Sequence, residues 1–163
     1  GREDDYTFSD SYVDNSQVIV VAEDSGIDTL DALAGKVVGV QAASAALELL
    51  QSEEEGGQKA LADTFGSLNE FADYNTAFTE LQAGALDALA IDIGVAKYQI
   101  KSRGDGYKIV DETLNTEQYA VAFKKGNQEL CDKINADLQK LTDKYVKEVD
   151  KAVESKSKEV MTV

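Results

Sequence analysis

Short apolar runs and helix-patterned stretches alternate along this chain up to about residue 124, and that alternation leaves few folds open. Val18, Ile19, Val20 and Val21 form a β-branched run that reads as a buried strand. Val37, Val38 and Val40 around Gly39 form the next. Residues 68–74 alternate apolar and polar, residues 86–91 are again apolar, and residues 107–110 and 119–123 complete the strand set. The stretches between them read as helices. Residues 28–34 are expected to be one, with Asp28 as N-cap and Gly35 at its C-terminal end. Residues 44–50 are rich in Ala and Leu. Asn75 can cap a third helix, which ends near Gly84, and residues 93–102 make a fourth. Strands separated by helices imply crossover connections, hence an α/β fold with a mainly parallel sheet flanked by helices.

From Asn127 the pattern changes to a single long helix. Leu130, Ile134, Leu138, Leu141 and Tyr145 recur at spacings of three and four and fall on one stripe, which Val149 and Val153 continue. Residues 155–163 have no clear period and are expected to fray. The charge changes at the same place. The chain of 163 residues carries a net charge of −15. All of that excess lies before residue 123, and the remainder is close to neutral. An acidic chain repels phosphate at long range, so nucleic acid is not an expected partner.

Several chemistries are excluded outright. With no histidine and one cysteine, Cys131, there is no Ser-His-Asp or Cys-His catalysis, no imidazole-ligated zinc and no internal disulfide. The phosphate-loop pattern fails because Gly35 and Lys36 are followed by Val37. The dinucleotide fingerprint fails because Gly104, Asp105 and Gly106 are followed by Tyr107, Lys108 and Ile109. No metal or cofactor is expected.

Three polar positions stand out by location. Gln41 and Ser44 follow the run 37–40 and open a helix, and Asp92 follows the run 86–91 and opens another. Ligands of open α/β sheets bind outside the carboxyl ends of the strands. Helix starts there present unpaired N–H groups that suit a carboxylate, and an aspartate beside them suits an ammonium. Together they would recognise a zwitterion. Spacing alone leaves the plainer alternative open, that Ser44 and Asp92 only cap their helices.

Four blocks, in this order, resemble the polar amino-acid type of extracellular solute-binding proteins of ABC importers. Residues 2–12 (REDDYTFSDSY) are similar to that family's R-x(5)-F-S-x-P-Y segment, and residues 28–41 (DTLDALAGKVVGVQ) to its L-x-D-L-x-G-K-x-V-G-V-Q run. Residues 81–92 (LQAGALDALAID) resemble L-x-x-G-x-x-D-A-x-x-x-D. Residues 119–138 resemble the returning strand and its K-G-N-x-E-L helix. The chain departs from the pattern at Ser11, where the family has proline, and at Ala43 and Ala120, where it commonly has glycine.

The resemblance implies two α/β lobes joined by crossing strands and closing on a ligand. Residues 1–16 would be a remnant of the first lobe. Residues 17–124 would form the second lobe with both hinge strands, and residues 125–163 a helical segment returning to the first lobe. Most of the first lobe would lie outside this chain. It also implies that Arg2 grips a ligand α-carboxylate, that Ser44 with Ala45 meets the same group, and that Asp92 pairs the α-ammonium. Gln41 and Tyr74 would line the wall. The implied role is binding without chemistry. An amino acid is delivered to an ABC permease by an extracellular or periplasmic protein, lipid-anchored in its parent form. Apart from the resemblance, an incomplete lobe would expose an apolar face that includes Leu130, Ile134 and Leu138, and such a face invites a homodimer. Two alternatives are a sensor domain of the same fold and, less favoured, a dehydratase-like enzyme with Asp92 as acid.

Overall fold

The computed structural model describes residues 4–161. In chain order the elements are β1 (Tyr6–Phe8), β2 (Val13–Ala22), β3 (Val37–Gln41), α1 (Ala45–Gln51), α2 (Lys59–Ala62), β4 (Ser67–Phe71) and α3 (Tyr74–Gln82). They continue with β5 (Ala88–Asp92), α4 (Ile93–Arg103), β6 (Tyr107–Ile109), β7 (Asn115–Tyr119), β8 (Ala122–Lys124) and α5 (Gln128–Met161). The chain divides into two compact units. One is Asp14–Gln118, and the other joins the residues through Val13 to those from Tyr119 onward.

The Asp14–Gln118 unit is built on a sheet of order β4-β3-β5-β2-β6, with β7 also paired to β2. β3 runs parallel to β4 and to β5, and β2 runs antiparallel to β5 and to β6. Four strands therefore point one way, and β2 is reversed among them. The residue pattern accounts for the layers. Side chains alternate across a strand, so Ile19 and Val21 of β2, Val38 and Val40 of β3 and Ala88 and Ala90 of β5 share one face. Leu33, Ala46, Leu47 and Leu50 cover them. Val18, Val20, Leu89 and Ile91 take the other face, under Ala77, Phe78 and Leu81 of α3 and Ala96 of α4. Each fully buried Val, Leu or Ile contributes about 1.5–3 kcal/mol. Gly39 lies where a side chain would press on the second layer. A Cβ there would lie 2.5 Å from Leu86 Cδ1 and 3.2 Å from Phe71 Cε2.

The connections set up a site. After β3 the chain crosses the first face through α1 and α2 to reach β4. After β4 it returns over the second face through α3 to β5, on the far side of β3. The segments leaving β3 and β5 thus depart to opposite faces of neighbouring parallel strands. This is the topological switch point, where open α/β sheets form a crevice.

In the second unit, β1 and β8 pair antiparallel, with Thr7 opposite Phe123. Ser9 extends the ladder, its N–H donating to Val121 O (3.0 Å) and its Oγ accepting from Val121 N (2.9 Å). α5 attaches through Cys131, which is buried and whose Sγ donates to Phe8 O (3.2 Å), and through Asn135 Oδ1, which accepts from Asp10 N (2.9 Å). Further along α5, Leu141, Tyr145, Val149, Val153 and Val160 are exposed.

Four sequence expectations need correction. Residues 28–34 form only a 3-10 turn over Asp31–Leu33. Asp28 does not cap it, because its carboxylate takes Lys108 Nζ at 2.6 Å, and Glu112 accepts the Leu30 N–H instead (2.7 Å). The cap of α3 is Asp73, not Asn75, with Asp73 Oδ1 accepting from Thr76 N (2.9 Å). Residues 119–123 are not one strand, since β7 ends at Tyr119 and β8 begins at Ala122. The C-terminal stretch does not fray at Ser155. α5 continues to Met161, with Lys158–Glu154 and Lys156–Glu159 pairs one turn apart supporting its last turns.

Candidate functional site

Three loops meet at the carboxyl rim of β3, β4 and β5. Val40 lies opposite Ala90 and Gln41 opposite Phe71 in the parallel registers. The residues just beyond these strands therefore come out side by side. They are Gln41 to Ala45 from the first loop, Ala72 to Tyr74 from the second, and Asp92 with the start of α4 from the third.

Ser44 caps α1. Its Oγ accepts from Leu47 N (3.2 Å) and donates to Gln41 O (2.7 Å). Asp92 caps α4, with Oδ1 accepting from Gly94 N (2.9 Å). The plain capping role is thus realised at both positions, and it holds both side chains at the rim. Tyr74, the first residue of α3, joins them. Burial raises its phenol above the ordinary value. A hydrogen bond with the Ser44 side chain pulls it back down, and the negative charge of Asp92 pushes it up again. The phenol therefore senses both of the other groups. Gln41 ties the first two loops together, its Nε2 donating to Ala72 O (3.1 Å), and Ala42 N donates to Phe71 O (2.9 Å). Ala43, immediately before Ser44, is the one non-glycine residue with positive φ among the described residues (φ 55°). The first loop is thus strained where it presents Ser44. Ala45 lines a hollow of about 400 Å³ with Glu48 and Leu49 on one side and Asn115, Thr116 and Glu117 on the other. Arg2 lies outside the described residues.

Three residues of the site carried no flag in the sequence reading. Asn15 and Gln17 are 3% and 2% exposed, yet polar. Asn15 Nδ2 donates to Asp92 Oδ2 (2.7 Å) and to Glu117 Oε1 (2.5 Å), and Gln17 Nε2 donates to the same Glu117 oxygen (2.9 Å). The available signal was two amides at i and i+2, on one face of a strand whose next four residues are all β-branched. Among the described residues no group of three or more carboxylate or thiol side chains is placed to hold a metal ion. No described helix is long and apolar enough to cross a membrane.

A reversed strand within a parallel sheet, with a hydroxyl, a phenol and a carboxylate at the switch point, describes an α/β lobe with a polar rim. The chain belongs to the bacterial extracellular solute-binding proteins, family 3, whose model matches residues 1–153. It is 34% identical over 145 residues to the arginine-binding extracellular protein ArtP of Bacillus subtilis, covering 87% of this chain and 53% of that protein. It is 29% identical over 142 residues to the ABC transporter glutamine-binding protein GlnH of the same organism, covering 86% of this chain and 48% of the other. Among solved structures it resembles an ABC uptake transporter substrate-binding protein from Streptococcus pneumoniae with bound histidine. That likeness has a TM-score of 0.68 and 30% identity, over 86% of this chain and 57% of that one. The chain spans about half the length of the curated relatives it matches.

Proposed function

We propose that the Asp14–Gln118 unit is one binding lobe of an amino-acid receptor that serves an ABC importer, outside the cytoplasmic membrane. Asp92 takes the ligand's α-ammonium. Ser44, with the chain at Ala45, meets its α-carboxylate, and Gln41 and Tyr74 form the wall beside the side chain. Arg2 adds a bidentate clamp on the carboxylate. The role is capture and delivery, without turnover. The observation that carries this reading is the convergence of Ser44, Tyr74 and Asp92 from three loops at the switch point. The relatives support it, since their names specify glutamine, arginine and cystine binding. Amide chemical shifts recorded with millimolar L-arginine, L-glutamine and L-histidine test it. Changes confined to residue 2 and to residues 41–45, 73–75 and 92–94 support the reading, and changes elsewhere or none at all contradict it.

The homodimer has support of its own in the exposed α5 stripe from Leu141 to Val160. Sedimentation equilibrium should give twice the 17.6 kDa chain mass, and Leu141→Lys with Tyr145→Lys should restore the single mass. A single mass for the unmodified chain contradicts pairing.

A further inference from the structure

Asp92 is held by more than its own helix. Its Oδ1 accepts from Gly94 N, and its Oδ2 accepts from Asn15 Nδ2 at 2.7 Å. The second hydrogen of that same amide goes to Glu117 Oε1, at 2.5 Å. An amide nitrogen carries two hydrogens and no acceptor, so both are committed to carboxylates, on β5 and on β7. Turning the amide over would set its oxygen against two carboxylate oxygens, which fixes its orientation chemically. Glu117 is in turn fixed by Gln17, whose Nε2 donates to the same oxygen (2.9 Å) and whose backbone N–H donates to Asn115 Oδ1 (3.1 Å). Asn15 and Gln17 share one face of β2, Asn115 and Glu117 share one face of β7, and Gln17 is the register partner of Asp92 on β5. Asn15 and Gln17 are also the buried polar side chains of this unit among the described residues. A strand that is apolar from Val18 to Val21 therefore ends in two amides aimed at acids.

We propose that Glu117 is a positioning residue for Asp92, acting through the Asn15 amide to hold the Asp92 carboxylate in the one rotamer that faces the rim. The inference rests on the reading of Asp92 as the ammonium partner. Its physical content is separate, because without Glu117 the Asn15 amide loses the anchor that this carboxylate supplies. The Asp92 side chain then gains freedom about χ1, and the cap on Gly94 loosens with it.

The test uses the whole chain and the variants Glu117→Leu, Asn15→Leu and Glu117→Gln. The glutamine retains an acceptor oxygen in the same place. Asp92 χ1 couplings and Gly94 amide exchange are read by NMR, with the Thr76 amide on α3 as the folding reference. In Glu117→Leu and Asn15→Leu the couplings should average between rotamers, and Gly94 should exchange about tenfold faster while Thr76 is unchanged. Glu117→Gln should lie between them and wild type. Where wild type binds L-arginine, the two leucine variants should raise its dissociation constant about tenfold, and the glutamine about threefold. If wild type binds none of L-arginine, L-glutamine and L-histidine, the receptor reading fails, and the couplings still decide the positioning role. Unchanged Asp92 couplings in the variants overturn it. If Glu117→Leu does not fold, Asn15→Leu and Glu117→Gln give the same decision.

Discussion

Val40 and Ala90 are register partners on the parallel strands β3 and β5, and the chain leaves those two strands toward opposite faces of the sheet. This pairing places Ser44 and Asp92, 48 residues apart in sequence, at one rim. Neither residue needs to be unusual. Each caps a helix as many serines and aspartates do, and the sheet order makes them neighbours.

Tyr74 reports on that neighbourhood. Its phenol is raised above 10.0, first by burial, with Ser44 lowering it and Asp92 raising it. Ser44→Ala should therefore move the Tyr74 ionisation upward and Asp92→Asn should move it downward, as followed by absorbance or by the Tyr74 ring resonances. The folded state favours the neutral phenol. The resulting stability is complete below pH 10.0 and disappears as pH rises through the higher folded value. Shifts of the opposite sign, or none, would separate these three groups.

Ala43 should prove replaceable with profit. Its left-handed backbone (φ 55°) costs an L-residue about 1–2 kcal/mol, part of which glycine gives back through its larger unfolded-state entropy. Ala43→Gly should raise stability by about 0.5–1 kcal/mol in urea denaturation. A loss of stability would show that the loop is not strained at this residue.

A side chain at Gly39 should cost stability. The Cβ of Gly39→Ala would meet Leu86 Cδ1 at 2.5 Å, with Phe71 at 3.2 Å beside it. Leu86 is buried and has little room to turn away. A loss of about 1–3 kcal/mol is expected from thermal unfolding. The same substitution at the exposed, left-handed Gly56 would act through backbone strain alone, and so serves as a comparison.

Much of this architecture was legible in the residues. The β-branched runs of β2 and β3 and the apolar Ala-Leu-Ala-Ile run of β5 are buried on both faces, and such strands advertise themselves. The helix starts at Ser44 and Asp92 carry capping residues at the expected places. Strand β7 (Asn115–Tyr119) was hidden because its residues, Asn-Thr-Glu-Gln-Tyr, have no apolar alternation. It is held by side-chain amides as well as by its pairing to β2. For the same reason the roles of Asn15 and Glu117 could not be read, since a shared amide between two carboxylates is a tertiary fact with no period. Asp28 misled because an aspartate before an Ala/Leu-rich stretch reads as a cap, and only the fold brings Lys108 to it. The length of α5 was underestimated because its last turns rest on ion pairs between neighbouring turns, which add stability without an apolar stripe.

The central claim is that Asp92 receives an α-ammonium at a rim shared with Ser44 and Tyr74. It is tested most directly by titrating the chain and its Asp92→Asn variant with L-arginine and with N-acetyl-L-arginine, which lacks the ammonium, by NMR. One lobe supplies about two charge-assisted hydrogen bonds of roughly 1.5–3 kcal/mol each, so the expected dissociation constant for L-arginine is about millimolar or weaker. The account predicts that the wild-type chain prefers L-arginine to the acetylated form by about tenfold or more, and that Asp92→Asn abolishes the preference. Equal binding of the two compounds by the wild-type chain, or a preference that survives in Asp92→Asn, would contradict it.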